Sequence, residues 1–225
     1  MEVLTSSPLT LQGGDVYMDK NDSYDNSKIE RLKEEIHSFS YDKVWITKKV
    51  RMNSENRLNK LDSLSQFLLN WYSISTLALS VVTLIFPDQK FDILNLIISI
   101  FLMGITLIVT SAKLKDRANE FKISYIQITV IEEDLKNLEL QCELFIDEST
   151  YKDIFSDFIK IKKKYISILD STPNQEQIDY DKYLYSSNKL DNFRKVSYLF
   201  KNVLFYLLIF SLSLIPLLLI YIKMK

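Results

Sequence analysis

The chain has 225 residues, 28 Lys and Arg against 29 Asp and Glu, one cysteine and one histidine. One Cys and one His exclude a tetrahedral zinc site or a disulfide framework built within a single chain, and the balanced charge argues neither for nor against nucleic acid. With only 3 Gly and 4 Pro, and no sustained alternation of period two, the sequence reads as almost entirely helical.

Residues 1–27 are polar and aperiodic, with Pro8 and Gly13-Gly14, and lack the apolar core of a secretory signal. A mobile tail is expected there. Helical spacing begins near Lys28 with Ile29, Leu32, Ile36 and Phe39. His37 lies beside that stripe and reads as a surface or interface side chain.

From Tyr41 the sequence YDKVWITKKVRMNSENRLNKLDSLSQFLLNWYS contains no Gly or Pro. Helix is therefore expected from about Asp42 into an apolar run and up to Pro87, a rod of roughly 65 Å. Residues 64–86 carry no Asp, Glu, Lys or Arg, and neither do residues 93–112. About 20 such residues span the ~30 Å hydrocarbon core of a bilayer. Two transmembrane helices, about 64–86 and 91–112, are expected to form a hairpin around Pro87-Asp88-Gln89-Lys90. A soluble chain of this size would struggle to wrap two helices that are apolar on nearly every face. Lys48, Lys49, Arg51, Arg57 and Lys60 precede the first run, whereas the turn holds only Lys90. The positive-inside rule then puts the N-terminus in the cytoplasm and the turn outside, and the same basic cluster can touch anionic headgroups.

Polar residues in these runs fall on stripes. Gln66, Asn70, Ser73, Thr76, Ser80 and Thr83 share one helical face, and Asp92, Asn95, Ser99, Thr106 and Thr110 another, interrupted by Leu102 and Met103. They serve either as hydrogen-bonding glue between packed helices or, in an oligomer, as the lining of a water-filled path. Gly104 is expected to mark a close helix contact.

Lys113 opens a second rod, KLKDRANEFKISYIQITVIEEDLKNLELQCELF. Leu114, Phe121, Ile128, Leu135 and Cys142 recur every seven residues, with Ala118, Tyr125, Ile131, Leu138 and Phe145 between them: a coiled-coil-type seam that makes Cys142 a core residue. Folding about the turn places residues whose numbers total about 177 at one height, so Arg57 is expected level with Glu120, Glu55 with Lys122 and Asp62 with Lys115. A third helix follows from about Thr150 to Leu169, apolar on Ile154, Phe155, Phe158, Ile161, Tyr165 and Ile168. Its lysines (Lys160, Lys162, Lys163, Lys164) form either a solvated face or a nucleotide-binding one. Thr172-Pro173-Asn174-Gln175 resembles a capping box that opens a short helix. Tyr180, Tyr183, Tyr185 and Tyr198 pack on the rods or stack on a base. Residues 171–195 thus form a cytoplasmic linker, and 196–225 carry a third transmembrane helix. Lys189, Arg194, Lys195 and Lys201 precede this last span, which is expected to cross outward, kink at Pro216, and face lipid or brace the hairpin.

VWITKKVRMNSENRL before a membrane hairpin, and KLKDRANEF opening a long amphipathic helix, resemble the SLATT family. Trp45, Thr47, Lys49, Arg51, Arg57 and Leu58 carry the likeness, with Arg117, Ala118, Phe121 and Tyr125, over residues 28–170. The family comprises bacterial two-transmembrane effectors associated with nucleotide-second-messenger synthases and nucleotide sensors in conflict systems. The third span resembles a subgroup linked to reverse-transcriptase loci. The resemblance implies an all-α inner-membrane effector of anti-phage defence, without catalysis or cofactor, homo-oligomeric and silent until signalled by a partner such as a reverse transcriptase or a messenger synthase. A non-conducting anchor or scaffold for a defence enzyme or nucleotide sensor is the alternative. No motif in the sequence specifies a nucleotide ligand.

Overall fold

In the computed structural model, residues 20–86, 89–144 and 148–224 are described. Tail residues 1–19, the turn residues Pro87 and Asp88, and the seam position Phe145 lie outside them. The first helix, α1 (Lys20–Ser38), begins earlier than the pattern near Lys28 implies. A π-helical segment, Phe39–Trp45, joins it without a break to α2 (Ile46–Ile85). After the turn come α3 (Gln89–Ser111), α4 (Leu114–Gln141), α5 (Glu148–Asp170), α6 (Gln177–Ser186) and α7 (Asn192–Met224). The described residues form an all-α protein in which three helices are long and apolar enough to cross a membrane.

The two arms pair antiparallel in the expected register. Lys33 meets Glu143, His37 meets Glu139, Lys48 meets Glu132, Lys115 meets Asn59 and Asn95 meets Ser80, every pair totalling about 177. Of the residues expected at one height (Arg57 and Glu120, Glu55 and Lys122, Asp62 and Lys115), none pairs with its opposite number among the described residues. Arg57 turns sideways to α6, Lys115 donates to Asn59, and Glu55 accepts from Asn59.

At the far end from the membrane, α1, the π segment, α4 and α5 enclose the main core. Leu32, Ile36, Phe39 and Val44 pack on Ile128, Ile131, Leu135 and Leu138, and on Ile154, Phe158, Tyr165 and Ile168. The π segment has a visible purpose in this packing. Bonding from i to i+5 brings residues five apart onto one side, so Phe39 and Val44 both enter the core. An α-helix would have turned one of them away. Cys142 is buried in this core, as the seam predicts. Nearer the membrane a smaller cluster joins Leu58 to Leu114, Ala118 and Phe121.

The second rod is not a continuation of the second span. Lys113 adopts a left-handed conformation, φ 47° and ψ 42°, and separates α3 from α4. By contrast α2 runs unbroken from the bundle into its span. α7 lies parallel to α2: Leu61 and Leu64 share a cleft with Tyr198 and Phe205, and Trp71 Nε1 donates to the Ser213 carbonyl at 2.9 Å. Its C-terminal end therefore lies at the same end as the hairpin turn, and it braces the hairpin through α2. The helix continues through Pro216, whose side chain lies outside the described ones. The expected close contact at Gly104 is absent among the described residues, because a Cβ there would meet nothing within 4 Å.

Candidate functional site

Two polar assemblies sit on α2, one in the helical bundle and one in the span. The first is built by the motif residues. Asp179 of α6 is 1% exposed and accepts three hydrogen bonds: from Ser54 Oγ at 2.7 Å, Arg57 Nε at 2.9 Å and Arg57 Nη2 at 3.1 Å. Asn53 donates to the Asp179 carbonyl, and Glu176 gives Arg57 a second carboxylate at 3.0 Å. Burial pulls the Arg57 pKa down, but Asp179 and Glu176 more than offset it, and the net shift is upward.

One turn earlier, Arg51 is 2% exposed. Its Nη1 reaches the Ile168 carbonyl at 3.5 Å and Thr172 Oγ1 at 3.4 Å, long for hydrogen bonds, and its Nε has no partner among the described residues. Burial lowers its pKa, opposed only by the charge of Tyr165. Thr47 exchanges a 2.8 Å bond with the Tyr165 hydroxyl. Trp45 packs edge-on against Tyr183, under Lys49. The motif face of α2 is thus the seat on which α5, the link after it, and α6 are clasped. Phe121 is buried, and Tyr125 and Arg117 are half-buried at the α4 side of the same bundle; burial, and then Glu55, raise the Tyr125 pKa.

The link corrects one expectation. Residues 172–175 do not open a helix; α6 starts at Gln177 after Glu176. Instead the Thr172 hydroxyl donates backwards to the Ile168 carbonyl at 3.0 Å, closing the end of α5. The tyrosines pack on one another: Tyr180 lies on Tyr183 and Tyr185 on Tyr198. The lysines of α5 are largely engaged. Lys160 pairs with Asp157, Lys164 with Asp134, and Lys162 with Glu35 while lying 4.2 Å from the Phe158 ring centre. Lys163 forms no ion pair among the described residues and is exposed.

In the span, the predicted stripes divide into two halves. Toward the turn, Thr76, Ser80, Thr83, Asn95 and Ser99 are buried or half-buried between the helices. Asn95 Nδ2 donates to Ser80 Oγ at 2.7 Å, and the hydroxyls donate to carbonyls of their own helices. Toward the bundle, Asn70, Ser73, Thr106 and Thr110 are exposed. There the helices face each other through Leu68, Leu69 and Tyr72 against Leu102, Ile105 and Val109, around an apolar cavity of about 320 Å³. At 3.6 residues per turn, Trp71 and Ser73 lie on opposite flanks of that contact line. Antiparallel geometry puts Thr106 and Thr110 on the same flank as Asn70 and Ser73, away from α7. Ser73 and Thr106 donate to Leu69 and Leu102 carbonyls, whereas Asn70 has no partner among the described residues.

The chain matches the SMODS and SLOG-associating 2TM effector domain family 5 over residues 32–222. It belongs to the SLATT family. The match reaches well beyond residue 170, where the likeness in the motifs ends. It includes α7, so the third apolar helix lies within the family pattern and is no addition peculiar to this SLATT protein. No curated protein and no solved structure matches it. As a member of an effector family with helices fit to cross a bilayer, the chain is a membrane effector of the conflict-system type.

Proposed function

We propose that this SLATT protein assembles into a homo-oligomer in the bacterial inner membrane and permeabilises it when a partner of the same defence system signals to the cytosolic bundle. One observation carries the reading: Asn70 stands exposed at membrane depth, without a partner among the described residues, on a flank it shares with Ser73, Thr106 and Thr110. An amide facing hydrocarbon without a hydrogen bond costs several kcal/mol. A second copy, or water held between copies, removes that cost. A single hairpin encloses no pore, so the flank acts only in an assembly. The basic residues flanking α2 and α7 favour a cytoplasmic bundle, with the hairpin turn and the C-terminus outside. The signal enters through α5 and α6, which clasp the motif face of α2, and α2 carries it rigidly into the span.

The test is Asn70→Leu combined with Ser73→Ala and Thr106→Ala, in cells and in reconstituted vesicles. The wild type should depolarise cells on induction and release a vesicle-entrapped dye. The triple variant should lose at least tenfold of both, and its oligomer by cross-linking, while still reaching the membrane. An unchanged variant, or a wild type that never conducts, would instead favour a non-conducting scaffold.

A further inference from the structure

Where α6 meets the membrane-entry turns of α2 and α7 there is a cleft of about 150 Å³. We propose that it is a binding site for the headgroup phosphate of an anionic phospholipid. The inference rests on the membrane placement of α2 and α7 and not on conduction. On the cytosolic side the cleft is lined by Lys60 and Lys182. Neither forms an ion pair or a side-chain hydrogen bond among the described residues. Asp179 also borders the cleft, but Arg57 and Ser54 already occupy its oxygens. Both side chains line the same cleft, and burial and then the charge of Lys60 lower the Lys182 pKa, with Asp179 acting against them. An anion between two like charges relieves their repulsion.

The other wall identifies the anion as lipid. It is formed by Leu61, Leu64, Phe205 and Tyr206, the first apolar turns of two parallel spans. Lys60 and Lys201 are within a turn or so of the last charges before each uncharged run. The cleft is therefore basic on its cytosolic side and apolar on its membrane side, with tyrosines at the level where headgroups meet acyl chains. Basic pockets between helices at this depth take phospholipid headgroups. A second cleft of about 240 Å³, across Tyr198, adds Lys201 beside the Arg194–Asp181 pair and extends the same basic border.

The experiment uses the full chain in detergent, with native mass spectrometry and thermal unfolding after addition of phosphatidylglycerol, phosphatidylcholine or millimolar inorganic phosphate. Phosphatidylglycerol should remain bound to the wild type and raise its unfolding temperature; phosphatidylcholine should do neither. K60Q/K182Q should retain at least tenfold less phosphatidylglycerol, and K163Q, on the exposed side of α5, should behave as wild type. Without lipid, K60Q/K182Q should unfold no earlier than wild type, because the substitution removes a repulsion. Equal retention by the double variant would overturn the site. Displacement of the lipid by inorganic phosphate, or equal stabilisation by it, would overturn the lipid assignment in favour of a soluble anion.

Discussion

Arg57 grips Asp179 side-on, Nε to Oδ1 at 2.9 Å and Nη2 to Oδ2 at 3.1 Å, across a gap of 122 residues in sequence. The two ends of the grip are not equivalent. The Asp179 side chain is 1% exposed, whereas that of Arg57 is 20% exposed and keeps Glu176 as a second partner. Arg57→Ala strands a buried carboxylate with only Ser54 to satisfy it, and breaking a buried pair from one side costs about 3–5 kcal/mol. Asp179→Ala leaves a guanidinium that still has Glu176 and water, so its cost should be smaller. The double variant should lose less than the two single losses together. Denaturant unfolding in detergent reads the stabilities, and protease cleavage of residues 171–176 reports release of α6. Equal single losses that simply add would remove the grip from the account.

Arg51 predicts the opposite sign. Its charge is buried, its bonds to Ile168 and Thr172 are 3.5 and 3.4 Å, and its Nε goes without a partner among the described residues. Thr172 and the Ile168 carbonyl already satisfy each other at 3.0 Å. Arg51→Met should therefore leave no polar atom newly stranded and should raise stability by about 1 kcal/mol or more. A variant that is more stable but inactive as an effector would mark Arg51 as kept for function rather than for folding. Measured unfolding that is clearly easier than in the wild type would show that the buried charge is better compensated than its distances indicate.

The long features of this architecture are legible in the sequence, and the short ones are not. Uncharged runs define the spans, and the short polar break 87–90 in the sequence predicts the antiparallel register that joins Lys33 to Glu143 at one end and Ser80 to Asn95 at the other. The π segment is hidden because its signature, Phe39 and Val44 sharing a face, has meaning only once α4 is known to lie there. Asp179 is hidden for a different reason. It is one of two acidic residues in a tyrosine-rich helix, and nothing local ties it to an arginine on α2. Thr172-Pro173 misleads because the hydroxyl can cap forwards or close the helix behind it, and the choice depends on α5 needing an end. Lys113 carries no Gly or Asn to advertise a left-handed turn.

Cys142 offers a pH-dependent probe of the main core. It is 7% exposed, and burial raises its pKa from the ordinary 9.0, with Lys33 acting in the opposite direction. The folded protein thus holds the thiol proton more tightly than the unfolded chain does. That contribution to stability is fully present below pH 9 and is lost as pH rises through the folded value. Alkylation by iodoacetamide at pH 8 should be at least tenfold slower in the native protein than in the denatured one. Cys142→Ala should flatten part of the fall in stability above pH 9. Native alkylation at the denatured rate would mean that the α1–α4–α5 core opens freely.

Lys113 is where the two arms of the hairpin differ, and the proposed transmission between bundle and membrane depends on that difference. A non-glycine residue in the left-handed region costs about 1–2 kcal/mol, and here the Lys113 amide still donates to the Thr110 carbonyl at 3.3 Å while the Arg117 amide donates to the Lys113 carbonyl at 3.0 Å. Lys113→Gly removes the strain, loses some of the gain to the freer unfolded chain, and should stabilise by roughly 0.5–1 kcal/mol. Lys113→Pro cannot adopt a positive φ and also deletes the donor, so it should destabilise by ~3 kcal/mol. The functional consequence follows from the same geometry. α3 and α4 are separated by the left-handed Lys113, whereas α2 crosses from the Asp179 grip to Asn70 without interruption. Two glycines inserted between Asp62 and Ser63 should abolish signal-dependent dye release from vesicles, and the same insertion between Ala112 and Lys113 should leave most of it. If both insertions abolish release equally, the second arm is as rigid in the working protein as the first, and α2 loses its special place in transmission.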